Sequence, residues 1–171
     1  VEATSLLIRI LEDKNQEPMV RHEAGEALGA IGAVETIHIL EKYLNDPLQE
    51  VAETCELAIE RIKWLNSSES KQQLPANPYK SVDPAPPLNS NNVNNLKSVL
   101  LDETASLFLR YRAMFALRNL RTTESVLALC SALKCGSALF KHEVAFVLGQ
   151  LQEEVSVPFL TQSLEDCSEN E

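Results

Sequence analysis

Two His-Glu dipeptides, His22-Glu23 and His142-Glu143, are the residues of this 171-residue chain whose types and spacing could do chemistry. Imidazole and carboxylate without thiolate form a ligand set suited to non-haem iron, manganese or zinc. One ion with open positions needs three protein ligands, two pairs provide at most four, and a two-metal centre needs more. A plainer reading stands beside this one. Glu near a helix start is favoured by the helix macrodipole, and a neighbouring His is often only a satisfied groove residue. On spacing alone the plainer reading stands slightly ahead, and repetition of the pair narrows the gap.

The pairs sit in two copies of one stretch, MVRHEAGEALGAIG at 19–32 and LFKHEVAFVLGQ at 139–150. In the first, Val20, Ala24, Ala27, Leu28 and Ile31 form an apolar stripe at helical period; Phe140, Val144, Val147, Leu148 and Leu151 repeat it 120 residues later. The stripe returns as Val51, Cys55, Ala58, Ile59 and Ile62, and as Leu109, Ala113, Ala116, Leu117 and Leu120, each 31 residues from a His-Glu copy. At the places matching His22 and Glu23 these helices carry Glu53-Thr54 and Tyr111-Arg112. The unit therefore folds without His-Glu, and packing alone does not require it.

Three stripe helices are followed by a second helix on a shared pattern: Ile37, Leu40, Leu44; Val126, Leu129, Leu133; Val157, Leu160, Leu164. Asn45-Asp46-Pro47 breaks one hairpin from the next helix, and Pro158 fits a first helical turn. Gly29 and Gly149 hold the same place in their helices, and because mid-helix Gly costs about 1 kcal/mol against Ala, close helix approach is expected at both. Stacked hairpins of this kind make an all-α fold, an α-solenoid of short HEAT-like repeats. The helix at 51–62 lacks a second partner. In its place 67–95 holds five of the eight prolines and no helical period, which reads as a linker. The expected organisation is an amino-terminal lobe at 1–65, a Pro/Asn/Ser-rich linker at 66–95 and a carboxyl-terminal lobe at 96–171.

Laying Leu11-Glu12-Asp13 on Leu164-Glu165-Asp166 puts a third His-Glu just beyond Glu171 and leaves 1–11 as a second helix without its first partner. The expectation is a fragment of a longer two-lobed protein. A net charge of −10 argues against a nucleic-acid partner and fits a cationic one. No apolar run reaches the roughly 20 residues of a membrane span, and no signal-peptide pattern opens the chain. The expected compartment is the cytoplasm, although a start at Val1 hides any earlier targeting segment. Cys55, Cys130, Cys135 and Cys167 show no CxxC pairing and read as ordinary thiols, mostly buried on helices. His38 reads as structural, Trp64 as a cap on the first lobe's core, and Arg110 and Arg112 as partners of nearby carboxylates. No phosphate loop or nucleophile elbow is evident.

Taken together, VRHEAGEALGAIG at 20–32, VAETCELA at 51–58, SVDPAPP at 81–87, RYRAMFALRN at 110–119 and CGSALFKHEVAFVLGQLQ at 135–152 closely resemble the deoxyhypusine hydroxylases. These are HEAT-like repeat di-iron monooxygenases. The resemblance implies two iron(II) ions per full-length chain, dioxygen as co-substrate, and as protein substrate the deoxyhypusine side chain of translation factor five A. It implies iron ligation by His22, Glu23 and His142, while Glu143 binds iron or orients the cationic substrate as a catalytic residue. Because the family carries four His-Glu motifs, it also implies that this piece alone binds iron poorly and is inactive. Two other readings are a non-catalytic repeat adaptor and a bilin-lyase-like repeat protein.

Overall fold

Helix ends fall where capping chemistry puts them in the computed structural model, which describes residues 2–71 and 73–168. The helices are α1 (Glu2–Glu12), α2 (Pro18–Ile31), α3 (Ile37–Leu40), α4 (Gln49–Leu65), α5 (Val93–Leu101), α6 (Leu107–Leu120), α7 (Thr123–Cys130), α8 (Ala138–Leu151) and α9 (Val157–Leu164), and among the described residues there is no strand. Pro18 occupies the first turn of α2, where a missing N–H costs nothing, and Gly32 ends it at φ 74, returning its N–H to the Leu28 carbonyl. Ser106 and Ser137 cap α6 and α8 by accepting from the N–H groups of Leu109 and Phe140. Thr122 and Ser125 cap α7 reciprocally. The four stripe helices are thus α2, α4, α6 and α8.

Two compact units form, one of Val1–Gln73 with Val82–Ala85 and one of Leu74–Ser81 with Pro86–Glu171. In the first, α2 packs on both α1 and α4. Its core joins Leu11, Leu28, Leu40, Val51, Cys55 and Ile62, all fully buried, and burying each Leu or Ile side chain contributes about 1.5–3 kcal/mol. In the second, α6 packs on α5, α7 and α8. Tyr111 is central there, edge-on to Phe115 and Phe140 with centroids 6.2 and 5.7 Å away. The irregular segment between α4 and α5 is held by packing: Ala85, Pro86 and Pro87 are buried. Arg61 donates to the Asp83 carbonyl within the first unit, and Leu88 donates to the Arg112 carbonyl at 3.1 Å within the second.

One arginine device recurs at the repeat level. Arg21 Nε donates to the Leu11 carbonyl at 2.9 Å, and Arg110 Nε donates to the Leu100 carbonyl at 3.0 Å. Each guanidinium reaches back ten residues from a stripe helix to the end of the helix before it, occupying a terminal carbonyl that the helix cannot satisfy itself. Arg110 also lies 4.0 Å over the Phe140 ring, so a carbonyl and an aromatic face take up the cation that the sequence assigns to a carboxylate. Arg112 Nε donates to the Pro86 carbonyl at 3.2 Å.

Two further sequence expectations need correction. Val20 and Ile31, at the ends of the first stripe, are exposed. The buried arc of α2 instead runs through Arg21, His22, Ala24, Gly25, Leu28 and Gly29, because α1 and α4 cover it from two sides. The second-helix pattern buries Val126, Leu129 and Leu133, whereas Leu44 is exposed, with 3-10 turns at Val34–Thr36 and Glu41–Tyr43 breaking up the helix around α3.

The two glycines differ in their surroundings within this chain. A Cβ at Gly29 would lie 2.9 Å from both Cα and Cβ of Ala58, so α2 and α4 do approach closely; at Gly149 nothing among the described residues lies within 4 Å. Opposite signs follow for one substitution at one repeat position. In the 171-residue chain Gly29→Ala is expected to destabilise by about 1–3 kcal/mol through overpacking, beyond the ~1 kcal/mol gained in helix propensity. Gly149→Ala is expected to stabilise by about 0.5–1 kcal/mol. Urea unfolding midpoints read both, and equal signs would show that the α2–α4 approach is not tight.

Candidate metal centre

The α2–α4 contact that excludes a side chain at Gly29 also builds the surroundings of His22. One turn earlier, a Cβ at Gly25 would sit 3.0 Å from Thr54 Cγ2. Small residues on α2 therefore let α4 bring Thr54 up to the imidazole. His22 is 6% exposed, and its Nδ1 stands 2.5 Å from Thr54 Oγ1. That hydroxyl in turn donates to the Glu50 carbonyl at 2.7 Å. The ring's other nitrogen, Nε2, lies 3.9 Å from Glu23 Oε1 and 3.7 Å from Glu26 Oε2.

The two carboxylates differ. The Glu23 side chain is 71% exposed and the Glu26 side chain 35%. Burial pushes the Glu26 carboxyl up, the negative charges of Glu23 and Asp83 push it the same way, and Arg61 pulls it down. A half-buried carboxyl whose charged form is disfavoured by burial and by a neighbouring carboxylate suits a cation. His22 with these groups offers nitrogen and oxygen donors of intermediate softness, which fits iron(II), manganese or zinc. Among the described residues no three His, Cys, Asp or Glu side chains converge tightly enough to cage an ion by themselves.

His142 and Glu143 take the equivalent places on α8, in the second unit. Among the described residues His142 is exposed and Glu143 half-buried. Phe146 stands where Glu26 stands on α2, and it is exposed. His38 lies exposed on α3. All four cysteines are free: Cys55 and Cys130 are buried, Cys135 is half-buried and Cys167 is exposed. Burial pushes the Cys55 thiol up to about 12, which leaves it inert. Trp64 is half-buried in the last turn of α4.

Sequence reasoning missed Thr54 and Glu26. Glu26 was signalled by its i+4 spacing from His22, which puts both on one helix face. Thr54 had a weaker signal, since it occupies the place on α4 that Glu23 occupies on α2.

The HEAT repeats family model matches residues 1–60, and the PBS lyase HEAT-like repeat model matches 109–135 and 140–166. A deoxyhypusine hydroxylase of Drosophila melanogaster is 57% identical over 171 residues, covering 99% of this chain and 56% of that protein. A Homo sapiens deoxyhypusine hydroxylase is 56% identical over 168 residues, covering 98% of this chain and 55% of that protein. The solved structure of human deoxyhypusine hydroxylase in complex with glycerol superimposes with a TM-score of 0.92 at 56% identity, covering 99% of this chain and 58% of that one. The chain spans about half the length of the curated relatives it matches. With more than half its residues shared across nearly all of that span, both His-Glu helices included, the chain belongs to the deoxyhypusine hydroxylase family of HEAT-repeat proteins.

Proposed function

We propose that the full-length protein is an iron-dependent monooxygenase that hydroxylates the deoxyhypusine side chain of translation factor five A, completing hypusine formation in the cytoplasm. The observation that carries this reading is the 57% identity to a deoxyhypusine hydroxylase over 99% of the chain. The surroundings of His22 support it independently of the name. No helix among the described residues is long and apolar enough to cross a membrane. The PBS lyase HEAT-like match concerns the repeat unit alone, and nothing else favours a bilin lyase.

In this reading His22 and Glu23 hold iron in the first unit and His142 holds it in the second, while Glu143 binds iron or the cationic substrate. Two iron(II) ions per full-length chain would supply the electrons and the open positions needed to activate dioxygen, with a reductant restoring them. One oxygen atom enters a carbon–hydrogen bond, and the other leaves as water with two electrons and two protons. The chain's own contribution is placement. The α2–α4 contact fixes the imidazole plane, and burial keeps bulk water from that side of the ring. Glu26 adds negative charge beside it. A deoxyhypusine side chain carries ammonium groups, and the net charge of −10 on these 171 residues draws such a cation and its basic surroundings by long-range attraction. The deciding experiment incubates the full-length protein with iron(II), dioxygen, reductant and a deoxyhypusine-bearing polypeptide. A mass gain of one oxygen atom on the modified side chain is expected, and an unmodified substrate would refute the assignment.

A further inference from the structure

We propose that Thr54 is a positioning residue that locks His22 in the Nδ1–H tautomer and aims an unprotonated Nε2 at the carboxylates of Glu23 and Glu26. The role of that nitrogen as an iron ligand rests on the function proposed above. The tautomer itself does not.

The inference follows from counting protons. Thr54 Oγ1 makes two contacts of hydrogen-bond length, 2.7 Å to the Glu50 carbonyl and 2.5 Å to His22 Nδ1. The residue is buried, so water does not share the work. A carbonyl oxygen only accepts. The one hydroxyl proton must therefore lie on the carbonyl side, because otherwise two oxygens face each other at 2.7 Å with no proton between them. The second contact then needs a proton from Nδ1. Only a ring protonated at Nδ1 satisfies both contacts, and in the neutral ring Nε2 is then bare. In water the neutral histidine side chain favours the opposite form, with its proton on Nε2, so the helix pair selects the minor tautomer. The Glu50 carbonyl lies one turn before Thr54 on α4, so the hydroxyl is anchored to a rigid backbone.

That selection is what a metal site needs. A ligating imidazole presents one nitrogen to the ion and donates its other N–H to an oxygen that fixes its plane and raises its basicity. Thr54 supplies that oxygen from a different helix, and the small residues Gly25 and Gly29 supply the room for it.

The test uses multiple-bond proton–nitrogen correlation NMR of the metal-free full-length protein, at a pH above the imidazole titration, with Thr54→Val and Thr54→Ser beside the wild type. Val keeps the shape and removes the hydroxyl; Ser keeps the hydroxyl. The wild type and Thr54→Ser are expected to show His22 protonated at Nδ1, and Thr54→Val to shift it toward Nε2–H. Iron(II) affinity in the first unit is expected to fall about 10–100-fold in Thr54→Val and to recover in Thr54→Ser. A wild-type ring protonated at Nε2, or a Thr54→Val protein that keeps both its tautomer and its iron affinity, would overturn the assignment. A protein that bound no iron would refute the proposed function and leave the NMR to decide the tautomer alone.

Discussion

On the function proposed above, His22→Ala in the full-length protein is expected to lose the iron of the first unit, lowering iron content from the proposed two per chain, and to abolish turnover. The magnitude follows from what the ring does. Groups that merely support a metal ligand cost 10–100-fold when removed, so loss of the ligand itself is expected to exceed ~100-fold in iron affinity. Glu23 is largely exposed and Glu26 one-third exposed, and two carboxylates open to solvent do not replace a nitrogen held in place by Thr54. A separate and smaller effect on stability, about 1–3 kcal/mol, comes from leaving the buried Thr54 hydroxyl without its donor. Unfolding curves measure that part and metal analysis measures the other. His38→Ala, on the exposed side of α3, is expected to change neither. Full iron content and wild-type turnover in His22→Ala would remove this residue from the site.

The periodicity of the sequence carries the helices and their pairing into hairpins, because apolar spacing and cap chemistry are local properties. Ser106, Ser137, Pro18 and Gly32 sit at helix ends for reasons that a single stretch of chain contains. Local pattern fails where a second helix decides. Val20 and Ile31 lie on the apolar arc of α2 by sequence, but the arc that α1 and α4 cover includes Arg21, His22 and two glycines. Those four residues carry no hydrophobic signal, so periodicity finds Ala24 and Leu28 but not the full width of the buried face.

The site was legible in the same partial way. His22 and His142 are equivalent by sequence, yet one is buried and the other exposed. The burial of His22 comes from α4, which packs on the α2 face that bears it. Thr54 was invisible as a partner because its role depends on helix approach across 32 residues of chain. Gly29 signalled that approach correctly: a Cβ there would meet Ala58 at 2.9 Å.

The other large effect falls on Asp46. Its side chain and that of Arg21 are each 2% exposed, with Nη2 to Oδ2 at 2.6 Å and Nη1 to Oδ1 at 3.3 Å. Leu48 N–H adds a bond to Oδ1 at 3.0 Å. The carboxylate thereby ties the Asn45-Asp46-Pro47 turn to the first turn of α2, one residue before His22. Asp46→Ala would leave a buried guanidinium with the Leu11 carbonyl and the face of Tyr43, 5.6 Å away. Breaking a buried pair from one side costs about 3–5 kcal/mol, a large part of the 5–15 kcal/mol that holds a typical domain together. The pH dependence has a definite sign. Burial pushes the Asp46 carboxyl up, but the Arg21 hydrogen bond, the Leu48 N–H and the Arg21 charge together hold it below the usual carboxylate range. The folded-state value is depressed, so the pair's contribution is fully present above the unfolded carboxyl's value of about 3.9 and is lost as pH falls through the folded value. Wild-type chain is expected to lose this stability below about pH 4, and Asp46→Asn to be weaker at neutral pH but flatter in acid. Urea unfolding of wild type, Asp46→Ala and Asp46→Asn at neutral and acid pH measures all of this. A neutral-pH loss below about 1 kcal/mol in Asp46→Ala would place the pair with exposed ion pairs and leave the orientation of the His22 turn to the α2–α4 packing alone.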